Sequence, residues 1–404
     1  MIPSGTERWR LPDGIDEWLP DASRRLETLR RRFIDLGASW GFEPVMPPMI
    51  EYLDALLTGT GEVLDLQTFT LIDQQDGRTL GVRADMTPQV ARIDAHALGR
   101  DVPTRLLYTG TVLRARTDAA GGSRNPLQFG AELFGHGGLQ SDLEMCRLML
   151  ESVLLSGVDP GALTLSLGHV GVYAGLVDEA GLDGESEQRL HDAMVRGSVP
   201  DVQRITAAAT EHGHGAAWRA LGALPSLRGE PSMLADARER LAGRAARVTQ
   251  ALDTLAGTVA GLAISHPEVG LHIDLGDLRG YRYHTGMLFA VHGAAGEALA
   301  RGGRYDAIGE AFGTGKGRPA TGFSGELARL MACQATPDAL PATERRAILL
   351  RDPTADGAWD AARALRADGE CVISSLTQDP VDASIDRELV RFASGWTVRP
   401  LTAS

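Results

Sequence analysis

The chain has 404 residues, more than a single hydrophobic core usually supports, so we expect one large domain with one or two smaller ones. Its formal net charge of −13 argues against a broad, nonspecific grip on nucleic acid, which depends on clustered Lys and Arg. The three cysteines, Cys146, Cys333 and Cys371, are far apart and form no CxxC pair. Neither a structural zinc site nor a disulfide framework is therefore expected.

The sequence shows no membrane or export signal. Its N-terminus, MIPSGTERWRLPDG, lacks both an apolar stretch and a small-residue cleavage site, and no run of about 18 apolar residues occurs. We therefore expect a cytoplasmic protein with no membrane partner.

The first elements follow from hydrophobic spacing. Apolar residues from Leu26 to Trp40 repeat every three or four positions, which predicts an amphipathic helix ending near Gly41. The following FEPVM predicts a strand at an edge or interface, because the prolines after it cannot donate to a sheet. Residues 67–87 alternate apolar and polar side chains around Asp76 and Gly77, which predicts a β-hairpin.

The next segment predicts a helix between two strands. Thr87 and Pro88 read as a side-chain cap and first helical position, opening a helix through His96. RLLYTGTVLR returns as a strand ending at Arg114. A glycine-rich tip follows within 113–135, and the returning stretch places Gln128 and Glu132 four residues apart.

Further along the chain, Ser141 and Glu144 have the spacing of a capping box and open a helix through Leu155, after which 162–167 read as a strand. Residues 175–264 have helical spacing and predict a mostly helical insertion. Strand patterns resume at 271–278, and Ser324 is predicted to cap the last helix of this part.

Together these elements predict an α+β fold, an antiparallel sheet flanked by helices. The predicted domains are a core of 1–174 and 265–335, the helical insertion 175–264, and a small C-terminal α/β domain, 346–404.

The usual catalytic motifs are missing. There is no phosphate-binding P-loop, no HExxH and no nucleophile elbow, and the histidines show no metal-ligand spacing. GTGKGRPA at 313–320 is interpreted as a mobile surface loop. We therefore expect no metal and no cofactor in this chain.

Polar residues nonetheless recur on or beside strands, close to Gly130, Gly280, Gly302 and Gly303, where backbone can approach a ligand. Each alone would be a surface charge or a structural ion pair. Arginine suits a carboxylate or phosphate, whereas Asp and Glu suit an ammonium group, so both signs together suggest a zwitterion such as an amino acid. The residues are Arg83, Asp85, Arg114, Gln128, Glu132, Arg279, Tyr283, Arg304 and Arg329.

These residues resemble the motifs of class II aminoacyl-tRNA synthetases in their histidyl form. Residues 113–135 resemble motif 2, with Arg114, Gln128 and Glu132 in the matching places. RADMT at 83–87 is similar to the amino-acid-binding turn and places Asp85 and Thr87 on it. RGYRYHTGMLF at 279–289 resembles the histidine-specific loop. RGGRYD and GFSGELARL resemble the second histidine-specific motif and motif 3, with Arg304 and Arg329 aligned.

Three residues depart from those motifs, and two of them lie in the part of the site that would bind a nucleotide. Arg116 stands where the family has Glu, and Glu326 stands where motif 3 usually has Gly. His284 replaces the second tyrosine of the histidine-specific loop. A carboxylate near the expected seat of ATP would repel its phosphates. The C-terminal domain is also short for an anticodon-binding domain, so tRNA is an unlikely partner.

LPDG at 11–14, residues 47–69 and residues 83–96 are similar to a second family, the regulatory subunits of ATP phosphoribosyltransferase. That resemblance implies a non-catalytic homodimer that joins the short catalytic subunit in a hetero-octamer. It also implies that this chain activates the partner and confers feedback inhibition by histidine in the first step of histidine biosynthesis.

The resemblance also implies roles in binding free histidine. Glu132 would bind the imidazole with Tyr283 or His284 beside it, while Asp85, Thr87 and Gln128 would bind the ammonium group. Arg279, with Arg114 as a further candidate, would face the carboxylate. Whether histidine occupies this pocket or a subunit interface is open, as are two alternatives, an active histidyl-tRNA synthetase and a stand-alone histidine sensor.

Overall fold

The computed structural model describes residues 9–59, 62–117, 122–209, 215–312, 317–333, 346–376 and 384–401. The chain divides into two compact units, Met1–Leu340 and Pro341–Ser404. The helices are α1 Pro20–Ser39, α2 Leu53–Leu56, α3 Glu62–Gln67, α4 Thr87–Arg92, α5 Leu139–Leu154, α6 Val170–Ala180, α7 Gly184–Val195, α8 Val199–Ala209, α9 Gly215–Ala223, α10 Met233–Arg240, α11 Ala246–Ser265, α12 Ile308–Ala311, α13 Leu327–Ala332 and α14 Ala358–Ala367.

A π-helical stretch, Ile93–Leu98, continues α4. The strands are β1 Glu43–Pro44, β2 Ile50–Tyr52, β3 Phe69–Ile72, β4 Thr79–Val82, β5 Thr104–Thr111, β6 Leu127–Phe134, β7 Thr164–His169, β8 Arg228–Gly229, β9 Gly270–Asp274, β10 Met287–His292, β11 Ala298–Arg304, β12 Ala320–Glu326, β13 Ala347–Leu350, β14 Cys371–Ser374, β15 Ile385–Phe392 and β16 Gly395–Pro400.

A nine-stranded sheet organises the first unit, in the order β1-β5-β6-β12-β11-β10-β7-β9-β8. Its neighbours are antiparallel except for the parallel pairs β1–β5 and β7–β9. The predicted antiparallel sheet flanked by helices is therefore confirmed. The predicted FEPVM strand is only two residues long, Glu43–Pro44, and it lies at an edge, as expected of a segment running into prolines.

The two faces of β6 serve different parts of the molecule. Phe129, Ala131 and Leu133 enter the main core, which also contains buried residues of α1, α5, α6 and α11. Because side chains alternate along a strand, Gln128 and Glu132 lie on the opposite face. There a second cluster contains Tyr108, Tyr305 and residues of α4. The sheet thus places a polar site on the face opposite the main core.

The predicted first helix and first hairpin are both confirmed. Helix α1 buries Leu26, Leu29 and Phe33 and ends at Ser39, just before Gly41, whose φ is 78°. Strands β3 and β4 pair around Gly77, whose φ of 74° suits the tight turn. Together with β2 they form a separate three-stranded sheet.

The segment predicted as an insertion contains α7–α11 and β8, and its buried helical residues share the main core. Strand β8 pairs with β9 at the far edge of the nine-stranded sheet. This segment is therefore packed into the first unit. The exact domain boundaries stay a prediction.

Three predicted helix caps are wrong: two of the side chains have a tertiary partner, and the third lies in a strand. Thr87 is the first residue of α4, and its hydroxyl lies 2.9 Å from that of Tyr108. Ser141 lies inside α5, which begins at Leu139, and accepts a hydrogen bond from Arg304 Nη2 at 2.7 Å. Ser324 belongs to β12, and α13 begins three residues later.

The β5–β6 hairpin also differs from its predicted extent. Strand β5 ends at Thr111, and Arg114 lies beyond it, where it forms an isolated bridge with Thr68. Residues 118–121 at the predicted tip and 313–316 of the predicted surface loop lie outside the described residues.

The second unit is a four-stranded sheet in the order β14-β13-β15-β16, with α14 packed on one face. The sequence did not predict strand β15, because its charged residues interrupt the alternation of apolar and polar residues that indicates a strand. One of these, Glu388, is buried between Arg351 and Arg399, whose nitrogens lie 2.8 and 2.6 Å from its oxygens.

Candidate functional site

The centre of the site is the carboxylate of Glu132. The side chain is 1% exposed, and the Tyr108 hydroxyl donates to its Oε1 at 2.9 Å. The Tyr305 hydroxyl donates to Oε2 from the loop after β11. The Tyr108 hydroxyl also lies 2.9 Å from that of Thr87, and either oxygen can donate in this pair. Four residues from four parts of the chain thus form one buried network.

Glycines opposite these side chains provide the space they need. Gly322 on β12 is the cross-strand neighbour of Glu132, and a Cβ at that position would lie 1.5 Å from Glu132 Oε2. Gly130 similarly faces Tyr108, whose hydroxyl would be 2.4 Å from an added Cβ. The register of β5, β6 and β12 therefore requires glycine at these positions.

Burial dominates the electrostatics of Glu132. Removal from water raises the pKa of this carboxyl to about 8, despite the opposing hydrogen bonds from Tyr305, Tyr108 and Thr87. At neutral pH the empty site therefore holds Glu132 mainly in its protonated form. Such a group can donate or accept a hydrogen bond in a water-poor environment.

Asp85 and Gln128 extend the network along the N-terminus of α4. Gln128 Nε2 donates to Asp85 Oδ1 at 2.9 Å, and Gln128 Oε1 accepts from the backbone of Met86 at 3.1 Å. The backbone N–H of Thr87 also donates to Asp85 Oδ1, at 3.0 Å. These hydrogen bonds bring together the predicted site residues Asp85, Thr87, Gln128 and Glu132. Tyr108, which was not predicted, lies among them.

Tyr283 forms a wall of the same site. Its ring stacks on Tyr305, with centroids 5.4 Å apart and an interplanar angle of 22°. Its hydroxyl is buried, and no residue in the described part of the chain hydrogen-bonds to it. A buried unpaired hydroxyl costs free energy, and such a group is commonly satisfied by a ligand or an ordered water.

His284 lies behind Tyr283, with ring centroids 5.3 Å apart. Its Nδ1 lies 3.3 Å from the Arg304 carbonyl, and burial lowers the pKa of this imidazole to about 4. His284 is therefore neutral at physiological pH and supports the wall as an uncharged group.

The four glycines that suggested close approach of a ligand make room for protein side chains instead. An added Cβ at Gly280 or Gly303 would meet the ring of His284 at 2.8 and 2.7 Å. Gly302 similarly faces Phe289, and Gly130 faces Tyr108. The sequence interpretation of these glycines is therefore wrong, although they do shape the site indirectly.

The predicted arginines have partners of their own. Arg279 forms a bidentate ion pair with Asp277, with nitrogen–oxygen distances of 2.9 and 2.6 Å, and its side chain is 53% exposed. Arg304 is buried against Asp142 and Asp306. Within the described part of the chain, neither hydrogen-bonds to the Glu132 network.

Glu326 joins the two arginines that match motifs 2 and 3. Its Oε1 lies 2.7 Å from Arg114 Nη1, and its Oε2 lies 2.7 Å from Arg329 Nε. Arg114 and Glu326 are both largely buried. The carboxylate thus occupies the position between two guanidinium groups where an external anion would otherwise bind. Arg116, the other departure in this region, is exposed.

Tyr108, Tyr305 and Gly322 were missed by sequence reasoning as site residues. Tyr108 carried a usable signal, because it alternates with Leu107 on a predicted strand beside the Glu132 strand. The described residues contain no cluster of three or more metal-ligating side chains. No described helix is long and apolar enough to cross a membrane.

Comparisons with known proteins show the family to which the chain belongs. The family model for histidyl-tRNA synthetase matches residues 14–330, and that for the C-terminal domain of ATP phosphoribosyltransferase subunit HisZ matches residues 345–399. The ATP phosphoribosyltransferase regulatory subunit of Thioalkalivibrio sulfidiphilus is 49% identical over 98% of this chain and 99% of its own length. The chain belongs to this family of regulatory subunits. The corresponding subunit of Pseudomonas fluorescens is 45% identical over the same shares.

Solved structures show the same fold. An ATP phosphoribosyltransferase regulatory subunit/histidyl-tRNA synthetase from Bacillus halodurans superposes with a TM-score of 0.76 at 27% identity, covering 95% of this chain and 96% of that one. Histidyl-tRNA synthetase from Nostoc gives a TM-score of 0.70 at 18% identity, covering 96% and 92%. The regulatory-subunit family thus has a class II synthetase-like fold, as the sequence motifs predicted.

The raised pKa of Glu132 predicts a specific pH dependence of stability. Because the folded pKa lies above the ordinary value, the folded state binds the extra proton, so the stabilisation is complete near pH 4.5 and is lost as pH rises through about 8. Relative to Glu132→Gln, the wild-type free energy of unfolding should fall by about 1 kcal/mol per pH unit between pH 5 and 8. Urea unfolding of both proteins measures this difference.

Glu27→Gln is the matched control for that series. Hydrogen bonds from Arg30 and Arg31 lower the pKa of Glu27 to about 2, so it stays ionised throughout the range. Its stability difference from wild type should be flat with pH. A flat difference for Glu132→Gln as well would show that Glu132 is ionised in the empty site.

The Arg114–Glu326–Arg329 arrangement predicts that Glu326→Ala exposes an anion site. Two freed guanidinium groups should bind the phosphates of ATP, and we expect affinity at least tenfold above wild type at low salt, measured by calorimetry. Glu144→Ala is the control, since it frees Arg105 in a different ion pair. Equal ATP affinity for wild type and Glu326→Ala would contradict the prediction.

Proposed function

We propose that this chain activates a separate, short catalytic subunit of ATP phosphoribosyltransferase and makes that subunit sensitive to free histidine. The observation that carries the histidine part is the unpartnered Tyr283 hydroxyl beside the buried Glu132 network. The family name supports the regulatory part, because a regulatory subunit implies a catalytic partner.

The chemistry of the pocket suits a histidine side chain. Neutral imidazole carries one N–H donor and one nitrogen acceptor, and it needs a complementary pair of groups. In the proposed complex, Glu132 and the Tyr283 hydroxyl supply that pair, while neutral His284 supports Tyr283 from behind. Because these groups are buried, they would favour histidine over other amino acids. An amino acid without matching polar groups would leave them unpaired.

In the proposed complex, Asp85 binds the α-ammonium group of histidine. Among the described residues, its hydrogen bonds from Gln128 and Thr87 both go to Oδ1, which leaves Oδ2 for a ligand. Arg279 remains the proposed partner of the ligand carboxylate, in competition with Asp277. Arg114 is a weaker candidate for that role, since Glu326 already holds its guanidinium group.

The same geometry supports a non-catalytic role. An adenylating enzyme must bind the phosphates of ATP, but Glu326 already pairs with both Arg114 and Arg329. Catalysis would then belong to the partner, and this chain, as a homodimer within a hetero-octamer, would hold that partner in its active arrangement. Histidine would act by binding active and inactive assemblies with different affinity, typically by about 1 to 3 kcal/mol.

The decisive experiment mixes this chain with a purified short catalytic subunit and measures phosphoribosyl-ATP formation. We expect activation by this chain and inhibition of the activated complex by histidine, with the inhibition weakened at least tenfold by Glu132→Ala. Glu144→Gln, which alters an ion pair on the other face of the sheet, should leave the inhibition unchanged.

Other outcomes separate the alternatives. Histidine-dependent exchange of pyrophosphate into ATP by the chain alone would identify an active synthetase. Histidine binding without activation of the catalytic subunit would favour a stand-alone sensor. Calorimetry that gives equal histidine affinity for wild type and Glu132→Ala would place the effector at a subunit interface.

Tyr283→Phe separates ligand binding from folding stability. The lost hydroxyl has no partner in the empty site, so the free energy of unfolding should stay equal or rise slightly. The same hydroxyl should bind the imidazole, so histidine affinity should fall about tenfold. Urea unfolding and calorimetric titration of the same preparation give the two quantities.

Tyr108→Phe is the matched control, because its hydroxyl is bonded in the empty protein to Glu132 and Thr87. That variant should lose about 1 to 3 kcal/mol of stability. If Tyr283→Phe is destabilised to the same extent, its hydroxyl has a partner in the empty site, and the proposed ligand contact fails.

A further inference from the structure

The loop that carries Tyr283 is held by contacts that lie outside the Glu132 network. It connects β9, which ends at Asp274, to β10, which begins at Met287, and contains no helix or strand. Its sequence, RGYRYH at 279–284, places Tyr281 two residues before Tyr283. The two tyrosines have different surroundings.

Tyr281 packs among α6 and α7 and not in the pocket cluster. Its ring meets Tyr173 of α6 edge to face, with centroids 5.0 Å apart and an interplanar angle of 87°. It also lies against His191 of α7, at 5.6 Å. Its hydroxyl donates to Glu187 Oε1 on α7 at 3.1 Å. Both ring and hydroxyl thus bind this tyrosine to the two helices.

A second pair of side chains reinforces this contact. The guanidinium of Arg282 donates to Gln188 Oε1, also on α7. The Tyr173 hydroxyl donates to the backbone carbonyl of Glu187 at 3.4 Å, which links α6 to α7 at the same point. Two consecutive loop residues, Tyr281 and Arg282, therefore bind two consecutive residues in the first two turns of α7, Glu187 and Gln188.

The loop between the two tyrosines is a tight turn. Gly280 has a φ of 71°, and its carbonyl accepts from the backbone N–H groups of Tyr283 and His284, each at 2.8 Å. The Tyr281 N–H donates to Leu278 at 3.0 Å. Because these bonds lock the backbone on both sides, a displacement of Tyr281 changes the position of Tyr283 as well.

We propose that Tyr281 is a positioning residue that couples the occupancy of the pocket to helix α7. It acts through the 278–285 turn, with Tyr283 at the pocket end and Glu187 at the helix end. The inference rests on the proposed function for the identity of the ligand. It gives the predicted insertion a role in regulation, beyond packing.

Hydrogen exchange of the full chain, with and without free histidine, tests the coupling. In wild type, histidine should slow amide exchange in residues 278–285 and in α7, residues 184–195. In Tyr281→Ala, histidine should slow exchange only in the loop, and its affinity should fall about tenfold. Tyr281→Phe, which keeps the ring but loses the bond to Glu187, should lie between them, and Glu187→Gln, which keeps an acceptor, should resemble wild type.

Tyr52→Ala is the matched control, because Tyr52 also donates to a carboxylate, Asp76, but lies on the three-stranded sheet. It should leave the response of α7 intact. The proposal is overturned if histidine protects the loop of wild type without affecting α7, or if Tyr281→Ala keeps the full response of α7.

The ligand-free samples distinguish failure of the coupling from failure of the proposed function. If histidine neither binds nor slows exchange in wild type, the histidine pocket is wrong. Even then, Tyr281→Ala and Tyr281→Phe must speed exchange in both the loop and α7 for the positioning role to stand. Unchanged exchange in either segment would disprove it.

Discussion

The site depends on the burial of one carboxylate without a cation. Among the described residues, no arginine or lysine pairs with Glu132, so neutral hydroxyl groups must satisfy it. Isolated burial of a charge is costly, and the protein responds by raising the pKa of the group instead of keeping it ionised. This requirement explains the surrounding tyrosines and the glycine on the neighbouring strand, where a side chain of any size would collide with the carboxylate.

A second carboxylate in the same unit has the opposite environment. Glu326 lies between Arg114 and Arg329, so its charge is compensated by two guanidinium groups. The hairpin β5–β6 connects both environments, since Arg114 follows β5 and Glu132 lies on β6. Neutral hydroxyl groups therefore satisfy one carboxylate, while two guanidinium groups pair with the other.

Strand periodicity made part of this site predictable. The spacing of Gln128 and Glu132 requires that both side chains lie on one face, and the structure confirms it. Tyr305 and Gly322 had no such local signal, because their relation to Glu132 is set by the pairing of β6 with β12, nearly two hundred residues apart, and of β12 with β11. The caps predicted at Thr87 and Ser141 failed for a related reason. Local capping competes with tertiary hydrogen bonds, which a single sequence does not display.

A regulatory role is compatible with an incomplete hydrogen-bond network. Among the described residues the buried Tyr283 hydroxyl has no hydrogen-bond partner, and a ligand that supplied one would remove the cost of that unpaired group. Removal of that cost stabilises the arrangement of the 278–285 turn in which the Tyr283 hydroxyl can bind the ligand. Since the turn is rigid and its other end is fixed to α7 through Tyr281, the preferred arrangement includes the helix. A ligand can shift an equilibrium only through different affinity for two states, and a locked turn with one unsatisfied group provides such a difference.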